Sequence, residues 1–258
     1  MIRSLIFIVL SSLTLGHRIG QPVPTAAEIL KKVADNYSKA QRLLIRGTYT
    51  FEGPGDGVES SRFLFVLGLP DRFRMEGVPR AFGFEGEFSE RWAWVADGEA
   101  TWTYEPGPNT YNRIVRSSPR GSVGTYVGGY PHLEEPEQFV ASLRMSVPGW
   151  FPGVLDPHRL TTINRIESLF IKEWQVECFV VQSDTQGFST KSEGTTRETL
   201  WIDKRRLVVW RRDGMMWVNN GLQEHLRVEV TTVELDGSLP KGMFKFRPPK
   251  GSKQVPIP

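Results

Sequence analysis

Two stretches of this chain are apolar on both faces of a strand, and they constrain the fold more than any other feature. Phe63-Leu64-Phe65-Val66-Leu67 carries no polar residue, and neither does Trp92-Ala93-Trp94-Val95-Ala96. A sheet with one face in water alternates apolar with polar, as Thr101-Trp102-Thr103-Tyr104 does. A strand that is apolar at every position needs cover on both sides. A curved sheet holding a helix on its concave face and loops on the other would supply that cover, as would a barrel-like sheet around a ligand. Two packed sheets with a dry aromatic core would also satisfy the pattern, because aromatics are commonly core residues. The chain has 15 Phe and 8 Trp in 258 residues, so the location of these rings decides between an enclosed ligand and a filled core.

The rest of the pattern sets the topology. Strand-like runs are expected over 43–51, 62–67, 72–76, 91–95, 100–104 and 111–115, then over 162–170, 175–182, 197–203, 207–211 and 222–235, with a last short one at 244–246. Turn chemistry separates them: Gly-Pro-Gly-Asp-Gly at 53–57, Gly-Leu-Pro-Asp at 68–71, Asp97-Gly98, and Glu-Pro-Gly-Pro-Asn at 105–109. Asp-Gly between two aromatic-rich runs is a hairpin signal. About eleven strands follow one another without intervening helices, which argues for an antiparallel sheet rather than βαβ units.

One helix is clear. Thr25-Ala26-Ala27-Glu28 forms a capping box, and Ala26, Ile29, Leu30, Val33, Tyr37 and Ala40 recur behind it at helical spacing. The resulting amphipathic helix of about four turns needs an apolar floor. Ahead of it, Met1-Ile2-Arg3, an apolar run over 5–15, Gly16 and then Gln21-Pro22-Val23-Pro24 have the layout of an export signal. The run is too short to span a membrane, and cleavage is expected after residue 16 or as late as 20. Residues 116–158 are rich in Gly and Pro, with one short helical pattern over 135–145 and an irregular loop holding Trp150 and Phe151.

Four segments in order resemble the LolA/LolB-like superfamily of bacterial periplasmic lipoprotein carriers. After the amphipathic helix, residues 62–75 (RFLFVLGLPDRFRM) are similar to the family's strand, proline turn and P-x-x-F-R segment. Residues 94–106 (WVADGEATWTYEP) resemble its aromatic Asp-Gly hairpin, Leu200-Trp201-Ile202-Asp203 its later W-I-D hairpin, and residues 243–251 (MFKFRPPKG) its closing segment. The resemblance implies a mainly β fold with some α: an unclosed antiparallel β-barrel of about eleven strands, with helices covering the concave face. It implies a signal over 1–16 and a single domain over 25–258 with an irregular insertion at about 116–160.

In function, the resemblance implies an exported, periplasmic or secreted carrier or sensor that binds acyl chains of a lipid or lipoprotein. The ligand-binding positions expected are Phe63, Phe65, Leu67, Phe73, Trp92, Trp94, Trp102 and Tyr104. Transient contact with a membrane, or with an inner- or outer-membrane partner, follows from the same likeness. The arginine that precedes the turn proline in the carriers, and helps hold their lid shut, is Leu69 here. That latch is not carried over. The alternative reading is a protein-interaction or structural domain of the same fold with a filled core and no ligand, in which Trp150 and Phe151 contact a partner.

No catalytic constellation stands out, so no enzymatic activity, metal site or cofactor is expected. His132, His158 and His225 have no metal-ligand spacing, and no H-E-x-x-H, G-x-S-x-G or Walker-type loop occurs. Gly83-Phe84-Glu85-Gly86 and Gly121-Ser122-Val123-Gly124 read as turns, and Glu85, Glu87 and Glu90 as a solvated strand face. The single cysteine, Cys178, sits in an apolar strand as an inert buried thiol. A net charge of +3 is spread along the chain. The clusters Lys204-Arg205-Arg206 and Trp210-Arg211-Arg212 suggest lipid head groups at a cavity rim or a solvated hairpin rather than nucleic acid.

Overall fold

The computed structural model describes residues 24–53, 57–68, 71–77, 92–115, 162–189, 192–218 and 221–256. The export signal, the helical pattern at 135–145, the Trp150 loop, Leu69, His132, His158 and the carboxylates of 85–90 lie outside the described residues. Helix α1 spans Ala26–Lys39. Its capping box forms as expected: Thr25 N–H donates to Glu28 Oε2 at 2.8 Å, and Glu28 N–H donates to Thr25 Oγ1 at 3.3 Å. These bonds satisfy donors that the first turn cannot pair within the helix.

The strands are β1 (Arg42–Gly53), β2 (Gly57–Gly68), β3 (Arg72–Glu76), β4 (Ala93–Asp97), β5 (Ala100–Glu105), β6 (Thr110–Val115), β7 (Thr162–Ile171), β8 (Val176–Ser189), β9 (Ser192–Asp203), β10 (Val209–Val218), β11 (Gly221–Leu235) and β12 (Lys253–Gln254). They form one twelve-stranded sheet in the order β12-β6-β5-β4-β3-β2-β1-β11-β10-β9-β8-β7. Two antiparallel meanders, β1–β6 and β7–β11, are joined where β1 pairs with β11. Among the described residues the terminal strands do not pair with each other, so the sheet is unclosed.

Turns form where the sequence demands them. Asp97 Oδ1 accepts from the N–H groups of Glu99 and Ala100, both at 2.9 Å. Gly98 takes φ +96°, which a side chain would resist. Asp203, the acid of the W-I-D hairpin, accepts from the N–H groups of Arg205 and Arg206, each at 2.8 Å.

Period-two register assigns the faces. Ile45, Phe65, Met75 and Trp94 lie opposite one another across β1–β4, as do Leu43, Leu67, Phe73 and Ala96. All eight belong to one buried cluster with Ala26, Ile29, Leu30, Val33 and Tyr37 of α1. This inner face continues through Val233, Val230, Val228 and Leu226 of β11 to Leu200 and Ile202 of β9 and Val181 of β8.

The outer face of β1–β4 is also dry, since Leu44, Val66 and Val95 are buried. The C-terminal segment crosses it as a strap. The Phe244 ring fills the space a side chain would need at Gly68, and Arg74 Nη1 donates to the carbonyls of Met243 (3.1 Å) and Lys245 (3.2 Å). Phe246 stacks on Trp102 at 6.0 Å and meets Tyr111 at 5.5 Å. Beyond it, β12 pairs in parallel with β6.

Two expectations change. The run at 244–246 is not a strand: Lys245 N–H closes a turn on the Gly242 carbonyl, and the Lys245 carbonyl accepts from the Arg74 side chain. Strands β8, β9 and β10 extend well past the expected ends at residues 182, 197 and 211, since ladder pairing sustains polar residues that periodicity ignores. Helix α1 is the one helix among the described residues; the further helical pattern expected, at 135–145, lies outside them.

Because Phe246 covers Trp102 and Tyr111, Phe246→Ala is expected to lower stability by about 1–3 kcal/mol, less than a fully buried Phe→Ala change. Urea unfolding checks this: the midpoint falls while the far-ultraviolet dichroism of the native state stays unchanged.

Candidate functional site

Six of the eight expected binding residues lie together on the inner face. Phe63, Phe65, Leu67, Phe73, Trp92 and Trp94 are all in the cluster under α1 and are at most 6% exposed. Phe73 meets Trp94 edge-on, with centroids 5.1 Å apart and planes at 89°, and Trp92 meets Trp94 at 6.3 Å and 75°. These edge-to-face contacts suit the ring quadrupoles. Gly47 makes room for the Phe63 ring, which would lie 2.9 Å from a Cβ there.

Trp102 and Tyr104 do not join them. Trp94 pairs with Thr103, so the neighbours of Thr103 face the other way. Trp102 lies beneath Phe246 with Arg113 5.7 Å from its ring, and the Tyr104 hydroxyl bonds Asn109 Oδ1 at 3.1 Å. Both belong to the outer face.

Among the described residues, helix α1 is tied down by few polar bonds. Asn36 Nδ2 donates to the carbonyls of Arg206 (2.8 Å) and Leu207 (3.2 Å), and Val209 N–H donates to the Tyr37 hydroxyl oxygen at 3.2 Å. Past the helix, Asp236 Oδ1 accepts from Gln41 N–H (2.7 Å) and Arg42 N–H (3.0 Å). Burial pushes the Tyr37 hydroxyl up to about 12, because a tyrosinate would lose its hydration there.

The inner face also holds an ion pair that the sequence reading did not identify. Arg212 donates through Nε (2.8 Å) and Nη2 (2.6 Å) to the two oxygens of Glu198, with both side chains at most 10% exposed. A bulge between Val209 and Arg211 shifts the phase of β10 by one residue, so Arg212 turns inward and Arg211 outward. Only that bulge distinguishes the two arginines, and periodicity does not reveal it. Gly214 lies opposite Glu198, and a Cβ there would sit 3.1 Å from both carboxylate oxygens. Glycine thus leaves the carboxylate its route to Arg212.

Lys204, Arg206 and Arg211 of the two clusters are also used by the fold. Lys204 pairs with Glu177 at 3.3 Å, Arg206 donates to the Val233 carbonyl and lies 5.6 Å from the Trp210 ring, and Arg211 pairs with Asp213 at 2.6 Å. Cys178 is buried, and burial together with nearby Asp203 pushes its thiol up to about 11, the opposite of an activated nucleophile. No cluster of three His, Cys, Asp or Glu residues that would hold a metal ion occurs among the described residues, and His225 stands alone on β11. No described helix is long and apolar enough to cross a membrane.

No family model and no curated protein matches this chain. Among solved structures it is similar to LprF from Mycobacterium bovis, with TM-score 0.45 and 11% identity over 86% of this chain and 99% of that one. It is also similar to a LolA superfamily protein from Nitrosomonas europaea, with TM-score 0.31 and 11% identity over 87% and 99%. A putative outer membrane lipoprotein-sorting protein domain from Vibrio parahaemolyticus matches with TM-score 0.27 and 12% identity over 86% and 97%.

Two outcomes check this site. Glu198→Ala strands the Arg212 charge on an apolar face and is expected to cost about 3–5 kcal/mol, whereas the paired change Arg212→Leu with Glu198→Leu costs far less. Denaturant midpoints of the three proteins compare them directly. In an alkaline titration followed by tyrosinate absorbance, Tyr37 stays protonated while exposed tyrosines ionise near pH 10. Its raised value gives the folded state the extra proton, so its share of stability is lost as pH rises from about 10 through 12.

Proposed function

We propose that this protein is an exported, non-enzymatic carrier or sensor that takes acyl chains of a lipid or lipoprotein against the inner aromatic face. The observation that carries the reading is the single apolar cluster shared by α1 and the concave side of the unclosed sheet. The helix contributes only Ala26, Ile29, Leu30, Val33 and Tyr37 to it and is held by a handful of polar bonds. An acyl chain offers the same kind of surface as that helix face, so the two are exchangeable partners for Phe65, Phe73, Met75 and Trp94. At about 25 cal/mol per Å², a chain burying on the order of 300 Å² gains roughly 7 kcal/mol before the costs of association. The ordered sequence resemblance to periplasmic lipoprotein carriers, together with the signal-like pattern over residues 1–16, supports the same reading, with the periplasm or the cell exterior as the proposed location.

The near-complete burial of Phe65, Phe73 and Met75 favours a second reading, a structural or interaction domain whose core is filled by α1 itself. Native mass spectrometry of the purified protein, followed by solvent extraction, separates the two. A carrier shows lipid adducts or takes up an added acyl probe. A clean mass with no uptake establishes the filled core. Because uptake requires α1 to lift, Asn36→Ala is expected to speed probe uptake several-fold, as removing hydrogen bonds of about 1 kcal/mol allows. Stopped-flow fluorescence measures that rate, and an unchanged rate would show that chains enter elsewhere.

A further inference from the structure

The inner face carries one buried polar centre in the β8–β11 half of the sheet. Ser183 lies opposite Glu198 across β8 and β9, and Glu198 lies opposite Gly214, which lies opposite Leu226. One register step away are Val181, Leu200, Arg212 and Val228. Apolar residues thus flank the Glu198–Arg212 pair and Ser183 on one side of their own face, and Thr196, Met216 and Glu224 follow on the other.

Ser183 is 0% exposed, and its Oγ has no hydrogen-bond partner among the described residues. A buried hydroxyl left without a partner costs stability, and native proteins rarely retain one without a use for it. Both oxygens of its neighbour Glu198 are already engaged by Arg212. The centre is therefore charge-balanced and still holds one unused donor.

That arrangement selects a ligand chemistry. A free carboxylate placed beside Ser183 would give up its hydration in a buried surrounding where the Arg212 guanidinium is already engaged by Glu198. A neutral carbonyl accepts from the Ser183 hydroxyl without that penalty, while its hydrocarbon lies along Val181, Leu200, Leu226 and Val228. Resting on the carrier reading above, we propose that Ser183, beside the Glu198–Arg212 pair, receives the carbonyl of a neutral acyl ester or amide in preference to a free fatty acid. The chain thereby carries bound, esterified or amide-linked acyl groups and leaves free acids behind.

The test uses the full chain loaded with diphenylhexatriene, an apolar fluorophore without hydrogen-bonding groups, and displaces it with hexadecane, methyl palmitate or palmitate. Methyl palmitate is expected to displace it at about five- to tenfold lower concentration than either of the others, the worth of one buried hydrogen bond. Ser183→Ala is expected to bring methyl palmitate within about twofold of hexadecane, while Ser183→Thr, which keeps the hydroxyl, retains the preference. Equal potency of methyl palmitate and hexadecane on the wild-type chain, a preference for palmitate, or an ester preference that survives Ser183→Ala would each overturn the inference and leave the carrier reading standing. Failure of the wild-type chain to take up diphenylhexatriene at all would overturn both. The wild-type ranking is decisive even if a variant does not fold.

Discussion

The pairing of β1 with β11 is the interaction on which the rest of the structure depends. It places Leu43 opposite Leu235 and Tyr49 opposite Val228, joining the start of the described chain to its end. Without it the chain would be two separate antiparallel meanders, each with an open edge. Closing so long a loop is entropically costly, and only the length of the ladder and the apolar residues on it offset that cost. Val228, Val230 and Val233 from β11 meet Leu43, Ile45 and Tyr49 from β1 in one cluster. The bulge between Arg46 and Gly47 sits within that ladder, where Gly47 accommodates the Phe63 ring.

Once the sheet exists as a single surface, its two faces are covered by the two ends of the chain. Helix α1 lies on the inner face just before β1. The segment after β11 returns across the outer face, with Phe244 over Gly68 and Phe246 over Trp102. This accounts for strands that are apolar at every position: Phe65 and Trp94 face the helix, while Val66 and Val95 face outward under dry cover. The two covers differ in kind. The strap is bound through Arg74 and ends in β12, whereas the helix, among the described residues, rests mainly on apolar contact.

Among the described residues, the buried charges of the inner face are Arg212 and Glu198. Arg212 and Glu198 neutralise each other inside an apolar surface, an arrangement seldom retained for stability alone, since hydrophobic replacements of such pairs are often as stable or more so. With Ser183 beside them, they form a buried, charge-paired polar centre on that face. Cys178, Lys204 and Arg211 are occupied by burial or by partners within the fold, and none forms a reactive group.

Much of this was legible in the residues themselves. The capping box at Thr25 and Glu28, the Asp97-Gly98 hairpin, the antiparallel order of strands and the need for cover on both faces all follow from local chemistry acting over a few residues. So does the grouping of Phe63, Phe65, Leu67, Phe73, Trp92 and Trp94, because alternation on neighbouring strands carries a shared face. Trp102 and Tyr104 show where that reasoning ends: residues in one strand know their own alternation but not which of two dry faces they join, and both join the outer one. The strap in place of a strand at 244–246, and the inward turn of Arg212 beside Glu198, were likewise decided only in the folded chain. An arginine side chain competing for carbonyls and a one-residue bulge each depend on groups far away in the sequence. Composition and period therefore determined that this chain makes a two-sided antiparallel sheet with a helix to cover it. Long-range register, which no local pattern encodes, decided what each face holds.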